Sequence, residues 1–130
     1  MFLVHVVKRV LGRYNDFEGR AGRSEYWSWT VVVWAVTLVA AVLILIAALP
    51  TPTNSVLGVS VAITYALFAL AVALPSLAVS VRRLHDTDHS GPFFLLTFLP
   101  VVNLYLLYLY CRKGDASNNR FGSEPEGVGS

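Results

Sequence analysis

The sequence has few charged residues and a single cysteine. Charged residues make up 14% of the 130 residues, whereas soluble domains average about 25%. No charged residue lies among the 55 positions from Trp27 to Val81. A soluble fold would expose part of so long an apolar run to water, which excludes a soluble enzyme and a disordered chain. The lone Cys111 excludes an intramolecular disulfide and a cysteine-based zinc site.

Three apolar segments predict an all-α fold, a multi-pass membrane helical bundle. We expect the spans at about residues 27–49, 56–81 and 92–111. As helices, the first two reach roughly 35 and 39 Å, which is enough for a hydrocarbon core of about 30 Å. Pro50 and Pro52 end the first span. Pro75 predicts a kink late in the second, where Ser76 and Ser80 would satisfy the freed backbone groups.

Pro100, near the middle of the third segment, leaves two interpretations open. As one helix the segment spans roughly 30 Å, the minimum for a crossing. As two pieces, Phe93–Leu99 and Val101–Cys111, neither half crosses, and the segment forms a re-entrant hairpin. The positive-inside rule places the N-terminus in the cytoplasm, because five Lys and Arg residues precede the first span and none lies in the first loop. Re-entry would put all ten on that side, whereas a crossing splits them seven to three.

The N-terminal residues 1–16 predict an amphipathic helix that lies in the membrane interface. Its apolar side chains fall on one side of a helical wheel, and its polar side carries His5, Lys8, Arg9 and Arg13. The membrane domain then covers residues 17–113, and a polar, partly disordered tail covers residues 114–130.

Charged residues collect at the ends of the spans and form a candidate binding site on the cytoplasmic face. Its members are Arg20, Arg23, Glu25, Arg82, Arg83, His85, Asp86 and Arg120. Charges at this depth persist when they are paired or hydrated. One interpretation is that salt bridges to Glu25 and Asp86 fix the bundle. The other is that arginines remain available for the phosphate of an anionic lipid headgroup.

Other functions have weaker support in the sequence. His85 and His89 are four residues apart with Asp86 and Asp88 between them, but no third histidine is near, so we expect neither a metal nor a cofactor. A membrane-interface enzyme that uses His85 and Asp86 lacks a matching nucleophile, and we predict no catalytic residue. An oligomeric transporter or channel component stays open as an alternative. Ten cations against eight anions leave no strongly basic surface for nucleic acid.

Several motifs, by their order and spacing, resemble the DUF805 family of small bacterial inner-membrane proteins of unknown function. They are Gly-Arg-Ala-Gly-Arg-Ser-Glu-Tyr-Trp at 19–27, the run from Pro75 to Thr87, Ser90-Gly91, Pro100, and Asn-Arg-Phe-Gly at 119–122. The chain departs from the family pattern at Asp88, His89, Pro92 and Asn103. The resemblance implies an inner-membrane location and no particular reaction. Expected partners are anionic membrane lipids, a second copy of the chain or another membrane protein.

Overall fold

The computed structural model describes residues 1–49 and 54–125, and within them every regular element is helical. The elements are α1 (Phe2–Gly12), α2 (Arg23–Ala47), α3 (Asn54–Asp86), a 3₁₀ helix (Gly91–Phe98) and α4 (Pro100–Cys111). The all-α prediction is therefore confirmed. The proline turn expected after α2 and the end of the expected tail, residues 126–130, lie outside the described residues.

The two long helices, α2 and α3, form an antiparallel pair. Contacts run from one end of the pair to the other: Ala47 with Gly58, Thr37 with Tyr65, and Trp29 with Ser76. The helices approach so closely at the first contact that a Cβ on Gly58 would lie 3.0 Å from the Cβ of Ala47. Both helices are long and apolar enough to cross a membrane.

Pro75 lies inside α3, and its missing N–H leaves the carbonyl of Ala71 without its helical donor. The hydroxyl of Tyr14, in the segment between α1 and α2, donates to that carbonyl at 2.9 Å. The expectation that Ser76 and Ser80 satisfy the freed group was wrong. The Ser80 hydroxyl donates to the carbonyl of Ser76 at 2.7 Å. The proline thus creates an attachment point for the N-terminal segment.

The amphipathic helix predicted at the N-terminus is confirmed as α1. Val6 and Val10 are buried in a cluster with residues of α2 and α3. The neighbouring apolar side chains Leu3, Val4 and Leu11 are about half exposed, which leaves an apolar stripe of α1 uncovered by the protein. Such a stripe beside cationic residues suits the boundary between lipid headgroups and acyl chains.

The third apolar segment is broken in two, and both of its ends lie at the same end of the bundle. Helical backbone angles are disfavoured at a residue that precedes proline. Leu99, which precedes Pro100, is accordingly extended between the 3₁₀ helix and α4 (φ −103°, ψ 110°). Gly91, at the start of the segment, packs on Val81 of α3. At its far end, the carbonyl of Tyr110 accepts a hydrogen bond from Arg83 of α3 at 3.2 Å. Residues 91–111 therefore form a hairpin, called below the 91–111 hairpin.

Candidate functional site: a buried arginine cluster beside a basic cavity

Asp86, the last residue of α3, lies between two buried arginines. Arg20 Nε donates to Asp86 Oδ1 at 2.9 Å, and Arg83 Nη1 pairs with Asp86 Oδ2. All three side chains are at least 95% buried. Arg83 and Asp86 lie one helical turn apart on α3, which brings them onto one face. We call these three residues the Asp86 cluster.

The remaining donors of the two arginines go to backbone carbonyls of α4 and the tail. Arg20 donates to the carbonyls of Ser117, at 2.7 Å, and Asp115. Arg83 donates to the carbonyl of Tyr110 and to that of Arg112. The Asp86 cluster therefore joins the segment before α2, the end of α3, the end of α4 and the tail.

Gly114 is also part of this site, a role that no motif in the sequence indicated. A Cβ at this position would lie 1.9 Å from Asp86 Oδ2, so only glycine leaves room for the carboxylate. The next residue, Asp115, donates its backbone N–H to the carbonyl of Asp86 at 2.9 Å. Neither contact has a sequence signal beyond a glycine close to the end of an apolar segment.

A second buried ion pair, separate from the Asp86 cluster, joins α2 to α3. Arg82 Nη1 donates to Glu25 Oε1 at 3.0 Å, and Arg82 is fully buried. Its Nε and Nη2 atoms have no hydrogen-bond partner among the described residues. The backbone N–H of Ala21 donates to the carbonyl of Arg82 at 3.0 Å. The helix that carries Glu25 begins at Arg23, which forms no ion pair within the described chain.

His85 holds two further segments in place. Its Nδ1 donates to the carbonyl of Gly19 at 3.0 Å, and Gly19 has the left-handed φ of +78° that favours glycine. The ring stacks on Phe121 with 4.0 Å between centroids and 2° between planes. Arg120, next along the tail, pairs with Asp88 at 3.1 Å on the exposed surface.

The two histidines considered for a metal have different environments. His89 Nδ1 donates to the carbonyl of Thr87 at 2.7 Å, and the Tyr105 hydroxyl lies 3.3 Å from Nε2. His85 is directed instead to Gly19 and Phe121. Among residues 1–49 and 54–125, no group of three His, Cys, Asp or Glu side chains is placed to hold a metal ion.

A polar cavity of about 490 Å³ lies beside the Asp86 cluster, between α1 and the tail. Arg9, Arg13 and Arg20 line it together with Glu25, Glu124 and the chain from Phe121 to Pro125. We call it the basic cavity. Arg13 also pairs with Asp16 at 2.6 Å. Slight burial opposes ionisation of Asp16, but hydrogen bonds from the Glu18 N–H and from Arg13 outweigh it and lower its pKa below the usual value.

Comparisons with known proteins place this architecture in a membrane family. Residues 14–123 match the model of the family DUF805, described as "Protein of unknown function". The chain is 41% identical over 118 residues to "Inner membrane protein YhaI" of Escherichia coli strain K12, covering 90% of this chain and 92% of that protein. It is 34% identical over 123 residues to "Inner membrane protein YhaH" of the same strain, covering 91% and 93%. No solved structure matches. The chain therefore belongs to the DUF805 family of inner-membrane proteins.

Proposed function

We propose that the protein is a membrane-inserted binding protein that holds an anionic phospholipid headgroup in the basic cavity. The observation that carries the proposal is the convergence of three arginines from α1 and the following segment on one polar cavity. Guanidinium groups bind phosphate oxygens through charge-assisted hydrogen bonds. The uncovered apolar stripe of α1 supports the proposal, because it suits the depth at which headgroups lie.

The distribution of charge supports a cytoplasmic location for this face. Because the 91–111 hairpin returns to the end of α3, its flanking cations lie at the same end of the bundle as those before α2. All ten Lys and Arg residues of the sequence then lie at that end. Under the positive-inside rule, both the N-terminal helix and the tail face the cytoplasm. Anionic lipids of that leaflet would meet the basic cavity directly.

Existing ion pairs indicate which arginines are available to a ligand. Arg20 is engaged by Asp86, and the Glu25 carboxylate on the cavity wall is engaged by Arg82. Arg9 is exposed and has no ion-pair partner among the described residues. Arg13 has the exposed pair with Asp16, which is weak in water, and donates to the carbonyl of Glu18 at 3.2 Å. We therefore assign phosphate binding to Arg9 and Arg13, with Arg20 holding the cavity wall in place.

The alternative functions have less support in the arrangement. Both carboxylate oxygens of Asp86 are paired with arginines, which does not suit acid–base chemistry on a substrate. His85 uses Nδ1 to hold the carbonyl of Gly19, and its ring is stacked on Phe121. The crevice between α2 and α3 is lined mainly by apolar side chains, with Ser60, Thr64 and Tyr65 as its polar members. This lining does not favour an ion path through one copy of the chain.

The test compares two pairs of charge-removing substitutions at the same end of the bundle. Arg9→Gln with Arg13→Gln removes the two arginines assigned to phosphate. Arg112→Gln with Lys113→Gln removes two cations that do not line the basic cavity. Native mass spectrometry of the detergent-purified protein would measure binding of short-chain phosphatidylglycerol, with phosphatidylcholine as the uncharged lipid and inorganic phosphate as the free anion.

We expect the first pair to weaken phosphatidylglycerol binding about tenfold or more, because each charge-assisted hydrogen bond contributes roughly 1.5–3 kcal/mol. The control pair should change it less than about threefold, since exposed cations contribute mainly through the general field. Equal weakening by both pairs would contradict a defined site. Inorganic phosphate binding as tightly as phosphatidylglycerol would contradict a lipid ligand.

A further inference from the structure

A second cavity, of about 330 Å³, lies between α2 and the 91–111 hairpin. It contains no part of the Asp86 cluster, and none of its lining residues is charged. Its wall combines aromatic rings, among them Trp27 and Trp34, with the polar side chains of Thr97, Asn103 and Tyr110. We call it the hairpin cavity.

Three polar groups on this wall lack hydrogen-bond partners. The hydroxyls of Thr97 and Tyr110 are both buried and unpartnered, and Tyr110 is only 7% exposed. The neighbouring Ser80 hydroxyl donates its proton to the carbonyl of Ser76 and keeps its lone pairs, so it is the one protein group beside Tyr110 that could accept from it. The side-chain amide of Asn103, an exposed residue, forms no hydrogen bond within residues 1–49 and 54–125. Hydrocarbon offers such groups no partner, so three of them on one wall indicate a polar ligand.

We propose that the hairpin cavity binds the neutral carbonyl head of a membrane amphiphile. All three unpartnered groups can donate a hydrogen bond, so a ligand that supplies carbonyl acceptors would satisfy them. The uncharged wall excludes a charged headgroup, which would lose its hydration without gaining a counter-ion. Two membrane components have this chemistry, namely a quinone ring and the ester-carbonyl region of a phospholipid. The aromatic rings on the wall can pack against the apolar part of either molecule.

The exposed rim of the cavity provides a route of entry from the bilayer. Trp34 is 72% exposed and Leu104 is 67% exposed, and both line the cavity. These side chains belong to α2 and to α4, so the opening lies between the two elements. An amphiphile would enter sideways from lipid. This site shares no arginine with the basic cavity, and its ligand does not depend on the function proposed for that cavity.

The experiment uses the two tryptophans on the cavity wall as reporters. A short-chain ubiquinone analogue is titrated into the detergent-purified protein while tryptophan fluorescence is recorded, and dihexanoyl phosphatidylcholine is then added as competitor. Thr97→Val combined with Tyr110→Phe removes both hydroxyls at nearly constant volume. Tyr105→Phe is the matched control, because this hydroxyl lies beside His89 and does not line the cavity. Asn103→Leu tests the third group independently.

We expect saturable quenching that the double variant weakens about tenfold, because two hydrogen bonds to the ligand are lost. The melting temperature should not fall, since removing an unpartnered buried hydroxyl costs little stability. Asn103→Leu should weaken binding severalfold, and Tyr105→Phe should leave it unchanged. Displacement by the phospholipid would assign the site to ester carbonyls, and resistance to displacement would assign it to a quinone. If neither probe binds saturably, or if the double variant binds like the original chain, the proposal is wrong.

Discussion

Asp86 is a single carboxylate between two buried guanidinium groups, so the Asp86 cluster has a formal charge of +1. An uncompensated charge away from water is unfavourable unless dipoles replace its hydration. Carbonyl oxygens of α4 and the tail surround the same two arginines and provide those dipoles. The stability of the cluster therefore depends on backbone acceptors as well as on the ion pairs.

Replacing the central carboxylate tests this dependence. Asp86→Asn should lower the free energy of unfolding by about 3–5 kcal/mol, because it leaves Arg20 and Arg83 buried without a counter-ion. Asp16→Asn is the control, since it breaks an ion pair with Arg13 whose side chains are 36% and 39% exposed, and such pairs contribute at most about 1 kcal/mol. Unfolding by denaturing detergent would measure both variants. Similar losses in the two would show that the Asp86 cluster is not a stabilising centre.

At the scale of single residues, the sequence predicted the charged side chains that pair with the arginines better than the backbone carbonyls that accept their hydrogen bonds. The sequence indicated Glu25 and Asp86 as the counter-charges of the arginines. In the structure, Glu25 pairs with Arg82, and Asp86 pairs with both Arg20 and Arg83. The carbonyls that complete the cluster could not be predicted, because every residue has one and side-chain identity does not mark it. Tyr14 was missed for a similar reason, since its acceptor is a carbonyl that Pro75 frees one turn earlier in α3.

Among the elements, the 91–111 hairpin has the largest consequence for topology. At about 2.0 Å per residue the eight-residue 3₁₀ helix is roughly 16 Å long, and α4 is roughly 18 Å long at 1.5 Å per residue. Neither reaches the roughly 30 Å of a hydrocarbon core. From the sequence, both topologies stayed open. The hydropathy of the segment favoured a crossing, whereas the count of flanking cations favoured re-entry. Hydropathy measures composition, whereas the break at Leu99 arises from backbone geometry before a proline.

The single cysteine provides a test of the re-entrant topology. Cys111 is exposed and ends α4. A membrane-impermeant maleimide should label it in inverted inner-membrane vesicles and not in intact spheroplasts, because re-entry returns the end of the hairpin to the side of the N-terminal helix, which we propose to be cytoplasmic. Leu49→Cys in a Cys111→Ser background is the control for the opposite side and should react in spheroplasts, because Leu49 is exposed just after the end of α2. Labelling of Cys111 from outside would instead indicate that the segment crosses.

For the whole molecule, the tail acts as a structural part that closes the charged end of the bundle. Arg20 donates to the carbonyl of Ser117, and Phe121 stacks on His85. Asn119 adds a hydrogen bond from its side-chain amide to the carbonyl of His85 at 2.8 Å. The tail also forms one wall of the basic cavity. Stability and access to that cavity should therefore change together when the tail is removed.

Two truncations test the contribution of residues 115–125, the part of the tail that the structure describes. A chain that ends after Gly114 loses the carbonyls of Asp115 and Ser117, which accept hydrogen bonds from Arg20, and loses the ring that covers His85. We expect its free energy of unfolding to fall by more than about 2 kcal/mol, because Arg20 loses two charge-assisted hydrogen bonds to tail carbonyls. A chain that ends after Pro125 keeps these contacts and is the control, so its free energy of unfolding should fall much less than that of the shorter chain. Hydrogen exchange at the Ala21 N–H, which donates to Arg82, should rise only in the shorter chain, because the segment that carries Arg20 is then released. Unchanged exchange and stability in the shorter chain would contradict this prediction. They would show that the ion pairs with Asp86 hold the arginines in place without the tail.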